Sequence, residues 1–226
     1  SADKASEVPR PAVWAMIGKD LAASSEPTTE ESGIVMQLLK LLLLAAENPA
    51  TGYPQPIEAS RLAGVSPEAF EHVIDWLLAR SSDKAFQVRL PAMDLLGLLV
   101  GCTGAREEPF VALATEVLSG PAGSNDEKRG EWGRAAAIHA LCLGQRDASK
   151  LPAHRRKLAL LLVDAMDRAV ASGDSNVCRY VMDSFHRALR ALLDSGFRAD
   201  FRSRGAGMEE MRRLAAGWRE RIPAAE

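Results

Sequence analysis

Apolar side chains recur along this chain at the three- and four-residue spacing of a helix, in segments of helix length, and the strict alternation of a half-buried strand does not occur. Pro91 and Pro109 each stand before such a segment, where proline is tolerated because the first N–H groups of a helix have no partner within it. Gly104 and Gly120 follow two of the segments, as glycine commonly does at helix ends. The pattern predicts an all-α fold.

The same patterns, with their capping residues, predict ten helical segments. Thr28 or Thr29 and Ser66 are expected to cap the second and fourth of them. The segments span residues 11–23, 29–47, 56–63, 67–81, 91–102, 107–119, 131–146, 152–171, 175–195 and 207–222.

Two architectures fit this series of helices. Short connections between most segments are typical of antiparallel neighbours, which favours an irregular multi-helix bundle. Small residues within 134–143 resemble those through which armadillo and HEAT repeats pack, which favours a short α-solenoid of helical hairpins. The helix starts do not recur at one fixed period, so both architectures stay open.

The apolar faces of the segments predict a set of core residues. These are Leu38, Leu41, Leu42, Phe70, Val73, Leu95, Leu98, Leu113, Ile138, Leu141, Leu161, Val181, Leu189 and Leu192.

The stretch 120–130 contains glycine, proline, serine, asparagine and charged residues and no apolar periodicity. Such a composition is typical of a loop. The sequence therefore predicts a flexible loop at 120–130, between an N-terminal helical subdomain (1–119) and a C-terminal one (131–226). The two subdomains are also compatible with packing as a single domain.

The formal charge of −2 disfavours a dedicated nucleic-acid binder, whose affinity depends on neutralising phosphates. Residues 151–226 nevertheless carry 14 Lys and Arg against 10 Asp and Glu. Solvated helix faces explain such an excess, and so does a surface for a partner with acidic groups. Because arginine is enriched at interface anchors, the second explanation predicts a partner-binding surface. Its residues would be Arg155, Arg156, Arg187, Arg190, Arg198, Arg202 and Arg204.

The segment 56–78 resembles a helix-turn-helix, with Gly64 and Val65 in the turn. With the preceding helix it predicts a helix-turn-helix-like unit near residues 35–81. The outward positions of its second helix include Glu68, Glu71 and Asp75, whose charge would repel DNA phosphates. A packing unit or a protein-binding face is therefore favoured over DNA reading.

No arrangement typical of catalysis or of a bound cofactor is present in the sequence. Glycine-rich phosphate loops and strand–turn–helix nucleophile elbows are absent. His139 and Cys142 have the spacing of half a zinc site, but no second pair lies nearby. The sequence thus predicts no catalytic residue, metal or cofactor, and an enzyme with His139 or His186 as general base is the less favoured alternative.

The sequence favours a non-enzymatic protein–protein interaction domain, namely an adaptor, a scaffold or a bacterial effector-type module, that binds a protein partner through helical surfaces. The alternative is a helix-turn-helix transcriptional regulator. The most apolar stretch, 33–46, is shorter than a bilayer requires and contains Lys40, so no membrane partner is expected. No signal peptide is visible, which favours the bacterial cytoplasm or, for an effector, the cytoplasm of a host.

Overall fold

The computed structural model confirms an all-α fold, a multi-helix bundle. The structure describes residues 10–23, 27–43, 47–48, 53–120, 126–147, 149, 151–173, 182, 185–186, 188–189, 192–193 and 207–222. Apart from the helices, the described residues contain one ladder, in which Glu47–Asn48 (β1) pairs antiparallel with Tyr53–Pro54 (β2).

The helices follow the ranges predicted for them, with shifted ends in several places. They are α1 (Arg10–Ala23), α2 (Thr29–Leu43), α3 (Ala59–Leu62), α4 (Pro67–Arg80), α5 (Phe86–Thr103), α6 (Glu107–Ser119), α7 (Asp126–Arg146), α8 (Leu151–Ser172) and α9 (Met208–Arg221). Of the predicted helix 175–195, six separate residues are described as helical, so its extent stays a prediction.

Side-chain caps fix the starts of two helices. At α2, the Thr28 N–H donates to Oε2 of Glu31 at 2.7 Å and the Glu31 N–H donates to Oγ1 of Thr28 at 3.2 Å. This reciprocal pair is a capping box. At α4, Oγ of Ser66 accepts from the Ala69 N–H at 3.2 Å, and Pro67 occupies the first helical position. Of the two threonines predicted as alternatives for the cap of α2, Thr28 is the cap, and the cap predicted at Ser66 is confirmed.

Helices α5 and α7 form the centre of the bundle and run parallel, since positions 97 and 101 of α5 meet positions 135 and 142 of α7. A methyl group built on Gly97 would lie 2.4 Å from the carbonyl oxygen of Ala135. One built on Gly101 would lie 2.6 Å from Cβ of Cys142. Only glycine allows the two backbones to approach this closely.

Two ion pairs link the same two helices. Nε of Arg89 donates to the Glu131 carboxylate at 2.7 and 2.9 Å. Arg134 donates to both Asp94 oxygens, from Nε at 2.5 Å and from Nη2 at 2.8 Å. The Glu131 side chain is only 1% exposed, so the pairing with Arg89 offsets the cost of burying its carboxylate.

The predicted start of α5 at Pro91 is wrong, because the helix begins at Phe86 and contains Pro91. Two tertiary contacts explain the longer helix: Val88 is buried, and Arg89 reaches Glu131 on α7. Pro91 suggested that no helical turn precedes it. The two contacts nevertheless stabilise that turn, because tertiary packing overrides local propensity.

Part of the predicted loop at 120–130 is helical, because α7 begins at Asp126. Arg129 explains this: it is 1% exposed and donates to the carbonyl oxygens of Gly120 at 2.9 Å and Val117 at 3.3 Å. Residues 121–125 of the predicted loop lie outside the described residues. The predicted helix to residue 47 is also too long, since Glu47 belongs to β1.

Apart from Leu143, the buried apolar residues of α1, α2 and α4–α9 belong to one cluster. Of the predicted core, the members confirmed as buried are Phe70, Val73, Leu95, Leu98, Ile138, Leu189 and Leu192. Leu42, Leu141 and Leu161 are half-buried against the cluster, and Val181 lies outside the described residues. The division into two subdomains stays a prediction.

Leu38, Leu41 and Leu113 were predicted as core and are exposed. On α2, the buried positions are Ser32, Met36, Leu39 and Leu43. The apolar run that starts at Ile34 has too few polar residues to reveal which stripe faces inward, so the phase of α2 was misassigned.

Among the described residues, one helix has the length and apolarity of a membrane-spanning segment. This is α5, with a mean hydropathy of 1.2. Since 61% of it is buried inside the protein, it also has the character of a core helix.

Candidate functional site

Helix α2 exposes an apolar stripe. Ile34, Leu38 and Leu41 are 56%, 48% and 66% exposed, and they recur at the i, i+4, i+7 spacing of one helix face. The opposite stripe of α2, which includes Met36 and Leu39, is buried in the bundle. We call the residues Ile34, Leu38 and Leu41 the α2 face.

Charge is arranged at the two ends of the α2 face. Glu30 is exposed near its N-terminal end, and Lys40 is half-buried near its C-terminal end. Between them, Gln37 is exposed, and a methyl group built on Gly33 would meet nothing within 4 Å. The face is therefore apolar along its length, with Glu30 in line with it at the N-terminal end and Lys40 on its flank, about 100° around the helix from Leu41, at the C-terminal end.

The predicted arginine surface is described at two of its seven positions. Arg155 and Arg156 lie half-buried on α8. Nε of Arg155 is buried and has no hydrogen-bond partner among the described residues. The other five positions, Arg187, Arg190, Arg198, Arg202 and Arg204, lie outside the described residues, so the convergence of the seven stays a prediction.

The helix-turn-helix-like segment folds as the short α3, a turn at Gly64 with φ +79°, and α4. Helix α1 covers part of α4, since the ring centroids of Trp14 and Phe70 lie 5.1 Å apart. On its exposed side, α4 presents Asp75, which accepts from Nη2 of Arg106 at 2.9 Å. One of the three carboxylates that disfavour DNA contact thus pairs with Arg106 at the start of α6.

A polar cluster lies where α6, α7 and α8 meet. Nδ1 of His139 and Nε2 of His154 are hydrogen-bonded at 3.0 Å. On its other side, Nε2 of His139 lies 3.4 Å from Oε1 of Glu107, whose Oε2 accepts from Nη2 of Arg146 at 2.5 Å. We call Glu107, His139, Arg146 and His154 the histidine cluster.

Burial controls the charge of the histidine cluster. His139 is fully buried, and this desolvation lowers its pKa from the ordinary value of 6.5 to about 4, against the raising effect of Glu107. Burial also lowers the pKa of His154. Arg146, which donates to Glu107, helps hold the pKa of that carboxyl below its ordinary value although burial opposes the shift. Both imidazoles are therefore neutral at pH 7.

The neighbours of His139 select its tautomer. With its proton on Nε2, His139 directs an N–H towards the Glu107 carboxylate, 3.4 Å away, without completing a hydrogen bond, and leaves Nδ1 to accept from Nε2–H of His154. The reverse tautomer would direct a lone pair at that carboxylate. Each nitrogen of His139 thus faces a different side chain. The nitrogen atoms of the two histidines therefore do not point at one common position. No set of three metal-ligating side chains is found among the described residues.

Beside the histidine cluster, Glu107 and His154 line a surface groove of about 640 Å³. Val111, Ala112 and Lys157 complete much of its wall.

His186, the other histidine considered as a base, is 5% exposed. Its Nδ1 accepts from Nε1–H of Trp218 on α9 at 3.2 Å, and the two rings are edge-to-face. This histidine joins α9 to the core. Cys178, which the sequence spacing places near it, lies outside the described residues.

The α2 face and the histidine cluster were both missed in the sequence. Polar residues along one side of the 34–44 run would have shown which side of α2 faces solvent. Only Gln37 and Lys40 interrupt the run, and two polar residues are too few to show it. The cluster joins residues up to 47 positions apart, on three helices, and local periodicity carries no signal for such a contact.

Comparisons with models of protein families, with curated proteins and with solved structures find no match to this chain.

Proposed function

We propose that this protein is a non-enzymatic interaction domain, an adaptor or scaffold, that binds a helix of another protein through the α2 face. The observation that carries the proposal is the exposure of Ile34, Leu38 and Leu41 on one stripe of a helix whose other stripe is buried. Side chains at this spacing are the anchors by which two helices pack. Contiguous exposed apolar residues commonly mark such contact sites.

The ends of the α2 face favour one chemistry and one direction for the partner. An amphipathic helix that runs antiparallel to α2 would place its own C-terminal end beside Glu30 and its N-terminal end beside Lys40. Basic residues are favoured at the C-terminal end of a helix and acidic residues at its N-terminal end. An antiparallel partner helix with this ordinary charge pattern therefore complements Glu30 at one end of the α2 face and the long side chain of Lys40, on the flank of the face, at the other.

The arginine surface is kept in this proposal as a second contact, for an acidic part of the same partner. Arg155 and Arg156 support it, because both are half-buried on α8 and so keep part of their side chains at the surface. The five arginines outside the described residues remain predictions.

The test replaces the three apolar side chains of the α2 face together, as I34Q/L38Q/L41Q. Because these positions are exposed, the melting temperature should change little. Partner affinity should fall at least about 30-fold, since truncating interface anchors commonly costs ~2 kcal/mol or more. The measurement is quantitative capture from a lysate of the source cells, followed by titration of the captured protein by calorimetry.

The matched control is M16Q/L113Q, which removes two other exposed large apolar side chains, on α1 and α6. It should bind like the unmodified protein. Equal loss of binding in both variants, or none in the α2 variant, contradicts the proposal. Sedimentation of the purified protein checks a further outcome: a dimer abolished by I34Q/L38Q/L41Q would make a second copy the occupant of the α2 face.

The transcriptional-regulator alternative would have α4 contact DNA. The packing of α1 against α4 and the pairing of Asp75 with Arg106 give it no support. Its direct check is binding to mixed-sequence DNA at low salt, where counterion release favours binding most.

A further inference from the structure

Two cysteines meet at the crossing of α5 and α7. Cys102, in the last turn of α5, directly follows Gly101, whose backbone packs on Cβ of Cys142 on α7, and the two thiols are close enough to shift each other's pKa. The backbones are held together at the same level, because Gly101 contacts Cys142. Both cysteines are free.

The two thiols differ in access to solvent. Cys142 is fully buried, whereas Cys102 is partly exposed and lines a groove of about 490 Å³. Leu62, Phe70 and Gly104 are among the other residues that form this groove. A small molecule in the groove can therefore reach Cys102 but not Cys142.

The surroundings of Cys102 favour its thiolate. Besides the Cys142 thiol, the backbone N–H of Ile57 donates to its sulfur, and the charge of Arg146 lies nearby, so that the pKa of Cys102 falls below its ordinary value although burial opposes the shift. Arg146 is fixed there because Nε donates to the carbonyl oxygen of Gly101 at 3.4 Å and Nη2 pairs with Glu107. The thiolate is the reactive form of cysteine.

We propose that Cys102 and Cys142 are a peroxide-reactive dithiol that closes reversibly into a disulfide between α5 and α7. The Cys102 thiolate attacks one oxygen of a hydroperoxide, the O–O bond breaks, and the leaving alkoxide or hydroxide takes up a proton. Cys102 is then a sulfenic acid. The sulfur of Cys142 displaces its hydroxyl group, and one water leaves as the S–S bond forms. An external dithiol returns both residues to thiols.

This proposal goes beyond the proposed function and does not depend on it. The groove admits small hydroperoxides, hydrogen peroxide above all. The neighbouring Cys142 thiol resolves the sulfenic acid before a second oxidation can occur. The disulfide would join the end of α5 to α7 where they already touch.

The experiment treats the reduced full-length protein with hydrogen peroxide and then alkylates the remaining thiols. Intact mass and peptide mapping should show the loss of two hydrogen atoms, a link between the Cys102 and Cys142 peptides, and an alkylated Cys178. Dithiothreitol should restore all three thiols. A link that includes Cys178, or a Cys102 sulfinic acid beside an alkylated Cys142, overturns the proposal.

Two variants sharpen the result. C142S removes the resolving thiol, so the Cys102 sulfenic acid should persist and react with dimedone. C178S is the matched control and should form the same disulfide as the unmodified protein. A C142S protein that still loses two hydrogen atoms within one chain overturns the proposal. Peptide mapping of the unmodified protein tests the proposal even if C142S fails to fold.

Discussion

Gly97 is the residue at which the central helix pair leaves no room for a side chain. In G97A the new methyl group would lie 2.4 Å from the Ala135 carbonyl oxygen, and backbone cannot move away as a flexible side chain can. We expect the free energy of unfolding to fall by about 2–3 kcal/mol, because overpacking outweighs the better helix propensity of alanine. Chemical denaturation measures the change.

The control is G217A on α9, where a methyl group meets nothing within 4 Å. That variant should gain up to ~1 kcal/mol from helix propensity alone. Equal stability changes in G97A and G217A would show that α5 and α7 are not in close contact at Gly97.

His139 makes stability depend on pH. Its pKa of about 4 in the fold lies below the ordinary 6.5, so between these values the unfolded chain binds a proton that the folded chain does not. Stability is therefore complete above pH 6.5 and is lost as the pH falls towards 4. The loss from this residue is about 3 kcal/mol. Burial of His154 acts in the same direction, while Glu107 favours protonation of both rings and Arg146 opposes that of His139.

The measurement is urea unfolding of the unmodified protein, H139Q and H72Q across this pH range. H139Q removes the imidazole that binds the proton, so the free energy of unfolding should depend less on pH. H72Q on α4 should leave that pH dependence in place. A slope that survives in H139Q but disappears in H72Q would place the acid-sensitive group elsewhere.

At the scale of the elements, the Arg89–Glu131 pair is expected to stabilise the α5–α7 contact. R89M leaves a buried carboxylate without its cation, which commonly costs about 3–5 kcal/mol. R89M/E131L removes both charges and should recover a large part of that loss. A double-mutant cycle by chemical denaturation isolates the coupling between the two side chains.

The Arg212–Glu209 pair on α9 is the matched control, because its side chains are 57% and 88% exposed. Replacing either of these two side chains should leave the free energy of unfolding nearly unchanged. If the double variant R89M/E131L were as unstable as R89M, the buried charge would not be the cause.

Helix positions were predictable wherever a local device marks them. The caps at Thr28 and Ser66 are such devices, and both helix starts were placed correctly from them. Ends set by distant contacts were not predictable. The first turn of α5 is stabilised by Arg89 on Glu131, and that of α7 by Arg129 on Gly120, across gaps that a periodicity analysis does not span.

The face that α2 turns outward was not predictable for a different reason. A run such as Leu41–Leu44 has similar hydrophobicity on every side, so local sequence does not distinguish the buried stripe from the exposed one. Only the packing of the whole bundle makes that distinction. The candidate binding surface therefore came from the structure, whereas the all-α fold came from sequence periodicity.

For the molecule as a whole, we propose that the protein acts by binding another protein through the α2 face. Photo-crosslinking tests it most directly. A benzophenone side chain is placed at position 38 on the α2 face, or at position 112 on α6, where Ala112 is exposed. We expect position 38 to give a covalent adduct with the same single protein in repeated experiments, and position 112 to give none. No adduct from position 38, or equal adducts from both positions, would contradict it.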